Sequence, residues 1–294
     1  MKKRKRRITP SNFILDAVLY FILIFAFVIT LYPVWYVIVA SFATAREVTL
    51  SGGLMLWPKE FILGGYQKVF QDPLLISGFV NSVKVLIVSL PINLILTLFC
   101  GYFMASTNMM LKKIIVYMMM FTMYFSGGMI PNYLNIRSLG LMDNFWALVL
   151  PGAVSVYNCI ICKTAIEAIP SSLQESAYID GANDFQVIWK ILIPLLKPTL
   201  AVLTLYYGVS HWNAWFNASI YIRTKEKLPV QNILRLFLLA NADQSGGGIG
   251  DTFDPYSEAI KYAAIVISTF PIMCIYPFLQ KYFAKGVMIG AVKG

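Results

Sequence analysis

Two stretches and one pair of cysteines in this sequence have residue types and spacings suited to chemistry. The first stretch runs through Tyr206, Tyr207, His211, Trp212, Asn213, Trp215, Phe216 and Asn217. Aromatic faces stack on the C–H surfaces of sugars, while amides and an imidazole take hydroxyl groups, so this mixture suits a sugar. On one continuous helix His211 and Trp215 would share a face, and Asn213 and Asn217 another, with the two pairs about 160° apart at 100° per residue. The cysteine pair, Cys159-Ile-Ile-Cys162, has redox or zinc-like spacing. No second pair accompanies it, His211 is the single histidine, and all four cysteines lie in apolar runs, where Cys behaves as a small hydrophobe.

The second stretch is a polar loop from Ile169 to Pro194. Ser172 with Glu175 three residues on has capping-box spacing and predicts a short helix starting there. Gly181 can take a left-handed conformation and stop it. Asn183 with Gln186 signals the start of a second helix, which Pro194 ends or kinks. Such an elbow would offer small residues (Ser176, Ala177, Gly181, Ala182) to an approaching surface, with Glu175 and Asp180 to fix register. Gly127 and Gly128, after Ser126 and before Pro131, point to a locally broken helix. No Gly-x4-Gly-Lys-Ser/Thr phosphate cradle, His-Glu-x-x-His or Gly-x-Ser-x-Gly motif occurs. The chain therefore carries no recognisable catalytic machinery, metal site or nucleotide site of its own.

The elements that must position these residues are membrane helices. The 294 residues are 58% hydrophobic and only 13% charged, against about 25% charged in an ordinary soluble domain. Six apolar segments can be drawn: Ile14–Phe42, Val85–Ala105, Ile114–Ile130, Phe145–Cys162, Thr199–Ile222 and Tyr262–Leu279. Their interiors hold no Asp, Glu, Lys or Arg; Asp16 sits two residues inside the start of the first. A proton or ion pump running on intramembrane carboxylates is thereby disfavoured, as is a voltage sensor.

The basic N-terminus, Lys2 to Arg7, resembles a signal-peptide n-region, and Ala43-Thr44-Ala45 a cleavage site. The intervening apolar run is about twice the 7–15 residues of a signal core, which predicts an uncleaved first span. With the N-terminus inside, the inner segments carry 14 Lys/Arg and 5 Asp/Glu, and the outer ones 10 and 9. That bias follows the positive-inside rule and places both termini in the cytoplasm. The net charge of +10 is scattered between apolar runs and does not form a nucleic-acid footprint. The chain reads as a cytoplasmic tail (1–13), a transmembrane region (14–283) and a second cytoplasmic tail (284–294). The transmembrane region includes outer loops 43–84 and 223–261 and an inner loop 167–198.

Glu175-Ser-Ala177-x-x-Asp180-Gly181-Ala182, followed by Ile191-x-x-Pro194, resembles the "EAA" loop of ABC-importer permeases, with Ser176 where Ala is commoner. Phe125 to Pro131, Val156-Tyr157-Asn158, Trp212 to Asn217, Gln280 to Gly286 and Gly290 to Gly294 are similar to maltose-permease-like carbohydrate permeases of the complex-oligosaccharide group. The resemblance implies an all-α type I ABC-importer permease fold with six spans in a bacterial cell membrane. It implies a non-enzymatic subunit that forms half of a heterodimer with a sister permease. An extracellular solute-binding protein would deliver an oligosaccharide, and cytosolic ATPase subunits, which use ATP and Mg, would dock on the elbow. No cofactor is expected on this chain. From the residues alone, a self-sufficient channel or secondary transporter for a neutral solute is the alternative.

Overall fold

The computed structural model describes residues 10–106, 110–244 and 257–290, all helix and connection without strands among them. The basic cluster Lys2–Arg7, the glycine run Gly246–Gly248 and the last four residues lie outside the described residues, as do the side chains of Gln280 to Gly290. The chain divides into two compact units, Met1–Gln71 with Phe237–Ile267, and Asp72–Leu236 with Ser268–Gly294.

In the first unit, α1 (Pro10–Ala40) is apolar all round and presents Phe21, Leu23, Ile24 and Phe27 outward, as a lipid-facing helix does. Short helices α2 (Ala45–Leu50) and α3 (Gly64–Gln71) follow. The first outer loop is tied to the end of α1. Trp35 Nε1 donates to Leu56 O (2.9 Å), Tyr32 Oη donates to Gly53 O (2.9 Å), and Tyr32 Oη accepts from Met55 N (3.0 Å). Ala43 and Ala45 of the cleavage-like triplet are fully buried, and Thr44 caps α2.

The second unit is built on α4 (Pro73–Ala105), started by Asp72, whose carboxylate accepts from Leu74 N and Leu75 N, and by Pro73, whose missing N–H costs nothing in the first turn. Then come α5 (Lys112–Tyr124), α6 (Met129–Ser138), α7 (Trp146–Val149), α8 (Val156–Glu167) and α9 (Ser171–Ile179). They are followed by α10 (Asp184–Gln186), a π-helical turn (Val187–Leu192), α11 (Ile193–Leu195), α12 (Lys197–Asn213), α13 (Phe216–Tyr221) and α14 (Val230–Gln244). The last helix, α15 (Ser257–Gly290), enters this unit at Ser268. Gly101 lets α4 and α8 cross closely: a Cβ there would lie 2.8 Å from both Cβ and Sγ of Cys162. Buried Leu98, Cys162, Ile166, Val187, Leu192 and Leu203 form the core between α4, α8, the π turn and α12.

Three helices among the described residues are long and apolar enough to cross a membrane: Ile14–Ala40, Pro73–Ala105 and Glu258–Ile275. Two bent pairs raise that to five if each is one span: α5 with α6 (114°), and the Asp184–Leu195 stretch with α12 (83°). The second expected segment begins twelve residues earlier than Val85, at Pro73, and so includes Lys84. The third breaks over Phe125–Gly128, where Gly128 has φ +91°. The fourth is no continuous helix, because the chain turns through Pro151 and Gly152 before Ser155 caps α8. The fifth stops at Asn213 and restarts at Phe216.

Candidate functional site

The break after Asn213 opens a cleft of about 680 Å³ in the second unit. Its walls come from Ser82 and Val85 of α4, Tyr157 and Asn158 of α8, and Tyr206, Tyr207, Ser210 and His211 of α12, with Gly152, Ser155, Ala214 and Asn217 from the adjoining turns and α13. None of its lining residues is Asp, Glu, Lys or Arg. The rings of Tyr157 and Tyr206 lie 6.3 Å apart at 44° and are both exposed. They are two adjacent apolar faces of the kind that stack against sugar rings.

Behind this lining lies a network of neutral polar groups. Asn93, fully buried on α4, donates from Nδ2 to Gly152 O (2.8 Å) and Ala153 O (2.9 Å), so its Oδ1 is the acceptor for His211 Nε2 at 3.0 Å. That bond puts the imidazole proton on Nε2 and leaves Nδ1 as an acceptor. Tyr207 Oη shares a 2.7 Å bond with Thr97 and accepts from Ser155 N (3.0 Å), while Ser155 Oγ accepts from Asn158 N. The buried side chains of Asn93, Thr97 and Tyr207 are thus each hydrogen-bonded, which ties α4, the turn before α8 and α12 together behind the cleft.

Of the sugar-suited stretch in the fifth segment, Tyr206, Tyr207, His211 and Asn217 come together here. Breaking the helix at Ala214 undoes the facial arithmetic, which assumed one continuous helix: His211 and Asn217 share the cleft, whereas Trp215 lies outside its lining. Trp215 instead lies 3.9 Å beneath the Arg235 guanidinium, packs edge-on against Phe216, and accepts at its carbonyl from Asn232 Nδ2. Trp212 is buried, donating from Nε1 to Ser268 O (2.9 Å) and facing Phe79, and so anchors α12 to α15. Asn213 is exposed at the end of α12. Gly127 and Gly128 are in the exposed α5–α6 connection, away from the cleft lining. Sequence reasoning misses Ser155, Tyr157 and Asn158 as cleft residues and Asn93 as the buried group behind them; the available signal for Asn93 is an amide inside the long apolar run after Pro91.

At the other end of α4 lies the elbow. Its first helix begins at Ser171 after Pro170, without a side-chain cap, so the Ser172–Glu175 capping box does not form; the preceding proline starts the helix one residue earlier. Gly181 takes φ +82°, and the helix closes through Gly181 N to Tyr178 O and Ala182 N to Ala177 O. The Asn183–Gln186 capping box is complete. Pro194 cannot donate to the ladder and comes after a π-helical turn, and the sharp bend lies two residues later at Leu196. Glu175, Ser176, Asp180 and Gly181 are exposed, whereas Ala177 and Ala182 pack inward on the Leu98–Leu203 core. Only part of the small-residue set is thus on the surface. Ile179 joins it there, 86% exposed.

Both sides of the Gly181 bend meet the end of α4. Tyr102 Oη lies 2.7 Å from Tyr178 Oη and 2.9 Å from Asp184 Oδ1, and Tyr178 Oη lies 2.7 Å from the same carboxylate oxygen. Burial raises the pKa of the Tyr178 phenol, the Tyr102 bond opposing it and the Asp184 carboxylate adding to it, which keeps the phenol protonated as a donor.

The sequence profile of the family described as "Binding-protein-dependent transport system inner membrane component" matches residues 9–289. The polygalacturonan/rhamnogalacturonan transport system permease protein YtcP of Bacillus subtilis (strain 168) is 38% identical over 287 residues, 97% of this chain and 100% of the relative. Protein LplC of the same organism is 40% identical over 267 residues, 90% of each chain. A crystal structure of a bacterial ABC transporter involved in the import of the acidic polysaccharide alginate contains a chain that superposes with TM-score 0.85 at 31% identity, covering 95% of this chain and all of that one.

Proposed function

The chain belongs to the family of binding-protein-dependent transport system inner membrane components, and from that premise we propose that it forms half of the path by which an oligosaccharide enters a bacterial cell. It is a transport subunit, not an enzyme. The energy comes from ATP and Mg used by cytosolic partner subunits, and a sister permease supplies the other half of the path. An extracellular solute-binding protein hands over the substrate. The chain crosses the bacterial cell membrane six times with both termini in the cytoplasm, counting the broken α7–α8 segment as a span whose irregular backbone lines the cleft.

The observation that carries the substrate class is the cleft: two exposed tyrosine rings, amides and hydroxyls, and no formal charge among the lining side chains. The relatives named for polygalacturonan/rhamnogalacturonan and alginate transport support a glycan. Tyr206, His211 and Asn217 contact the sugar directly. Trp212, Asn213, Trp215, Phe216, Gly127 and Gly128 shape the helices around the path. Exposed Glu175, Ser176, Asp180, Gly181 and Ile179 form the docking surface for the ATPase, while Ala177, Ala182 and Pro194 set its backbone.

The test is retention of the ATPase. Deletion of residues 175–181, or Gly181→Asp, should leave the chain inserted and paired with its sister permease but abolish co-purification of the ATPase and ATP-driven uptake. Normal ATP-driven uptake in either variant would contradict the docking role.

A further inference from the structure

If the elbow receives the ATPase, something must carry its movement to the cleft, and the route is visible in α4. That helix has Tyr102 in its last turn and Asn93 nine residues earlier, about 13.5 Å along the axis at 1.5 Å per residue. Asn93 holds His211 of the cleft wall, and Ser82 and Val85 farther up the helix line the cleft themselves.

The elbow grips α4 at its lower end through groups from both sides of the Gly181 bend: Tyr178, the penultimate residue of α9, and Asp184, the first of α10. Because Gly181 alone sits at positive φ between them, those two groups are folded onto one point, and that point is the Tyr102 hydroxyl. One turn away, Phe99 meets Phe185 edge-on with centroids 6.0 Å apart. Close crossing at Gly101 fastens the same stretch of α4 to α8, which bears Tyr157 and Asn158.

Resting on the proposed docking role of the elbow, we infer that the Tyr102–Tyr178–Asp184 triangle is a latch that transmits elbow movement to α4, making Tyr102 a positioning residue for transport. Aliphatic packing of Ala177 and Ala182 holds the elbow in contact with the core but permits sliding. The directional contacts of the Tyr102 hydroxyl with Tyr178 and with the Asp184 carboxylate do not, since displacement of the elbow from α4 breaks both together. Losing the Tyr102 hydroxyl leaves the ring, the packing and the exposed docking surface in place. The elbow would then move without its helix.

The experiment uses the intact importer, with sister permease, ATPases and binding protein, in proteoliposomes. Cys274, exposed in the sixth segment, is replaced by Ser, and Ser210→Cys in the cleft is the reporter. Its rate of reaction with an impermeant maleimide is read with and without ATP plus vanadate, after subtracting labelling of the same chain without the reporter. The parent should show an ATP-dependent rate change. In Tyr102→Phe, which removes both contacts that cross to the elbow, that change should shrink roughly tenfold, the scale set by losing a hydrogen bond to a charged group, and in Tyr178→Phe, which leaves the Tyr102–Asp184 bond, it should shrink by less, while the ATPase remains bound. The double variant should be no worse than Tyr102→Phe, because that change already removes every contact of the triangle that crosses to α4. Asp184→Asn, which leaves both rings in place, should behave likewise.

An unchanged ATP-dependent response in assembled Tyr102→Phe and Tyr178→Phe complexes would overturn the latch alone. Absence of any response in the parent would overturn the docking role of the elbow, and the latch with it.

Discussion

Asn93 and Asp143 show how single polar residues hold distant parts of this chain together. Asn93 joins α4 to the turn before α8 and to His211 with three hydrogen bonds in a fully buried setting. Asn93→Leu should therefore leave two carbonyls and an imidazole unpaired and cost roughly 2–3 kcal/mol. A fall in the thermal unfolding temperature of detergent-solubilised protein checks this, with Leu94→Ile as the comparison on the same helix. Asp143 sits in the left-handed region (φ +55°) and accepts from Lys227 Nζ (2.7 Å), Thr224 N, Thr224 Oγ1 and Arg223 N. The Lys227 bond first, and then those from Thr224 and Arg223, hold its pKa well below the ordinary carboxylate value. A depressed carboxylate contributes stability that is fully present above its unfolded pKa of about 3.9 and is lost as pH falls toward the folded value. The stability gap between the parent and Asp143→Asn should thus be constant from pH 7 to about 5 and narrow below about 4. A gap that widens on acidification would contradict the clamp.

At the scale of elements, breaks matter more than helices. The hydropathy pattern locates where apolar helix occurs, and α1, α4 and α15 overlap predicted segments, though α4 and α15 extend well beyond theirs. It does not locate the breaks inside apolar runs. The Phe145–Cys162 and Thr199–Ile222 segments are interrupted by residues that are apolar or small, Pro151-Gly152 and Ala214-Trp215, so their mean hydropathy stays high while the backbone turns. The break at Gly127-Gly128 is readable because two glycines precede a proline. The elbow is readable for a similar reason: Gly181 and the Asn183–Gln186 box act through local backbone chemistry. The inward packing of Ala177 and Ala182 is not, because which side of a short helix faces the core is decided by distant Leu98 and Leu203. In the cleft, Tyr206 and His211 stand out as types, whereas Asn93 and Asn158 acquire their roles only through tertiary pairing.

Two predictions belong to this scale. Gly101→Leu should force α4 and α8 apart and destabilise the second unit by about 1–3 kcal/mol. Gly101→Ala combined with Cys162→Ala should be milder than Gly101→Leu, because the sulfur that crowds the new Cβ is gone. Thermal unfolding of both variants checks the order. Gly181→Val meets no neighbouring atom but must hold a β-branched residue at φ +82°, a cost of about 1–2 kcal/mol. It should loosen the elbow without disturbing insertion, which faster proteolysis within 171–186 in membranes would register.

At the scale of the whole molecule, membrane-length helices dominate, and one of them, α4, has the cleft toward one end and the elbow at the other. As an inner membrane component of a binding-protein-dependent transport system, the chain is one part of a larger system. The most direct test is uptake of labelled oligosaccharides into proteoliposomes, comparing this chain alone with the complete assembly of sister permease, ATPases and binding protein. The account predicts no uptake by the chain alone, ATP-dependent uptake by the assembly, and loss of that uptake when residues 175–181 are deleted. Uptake by the chain alone, or ATP-driven uptake that survives the deletion, would contradict it.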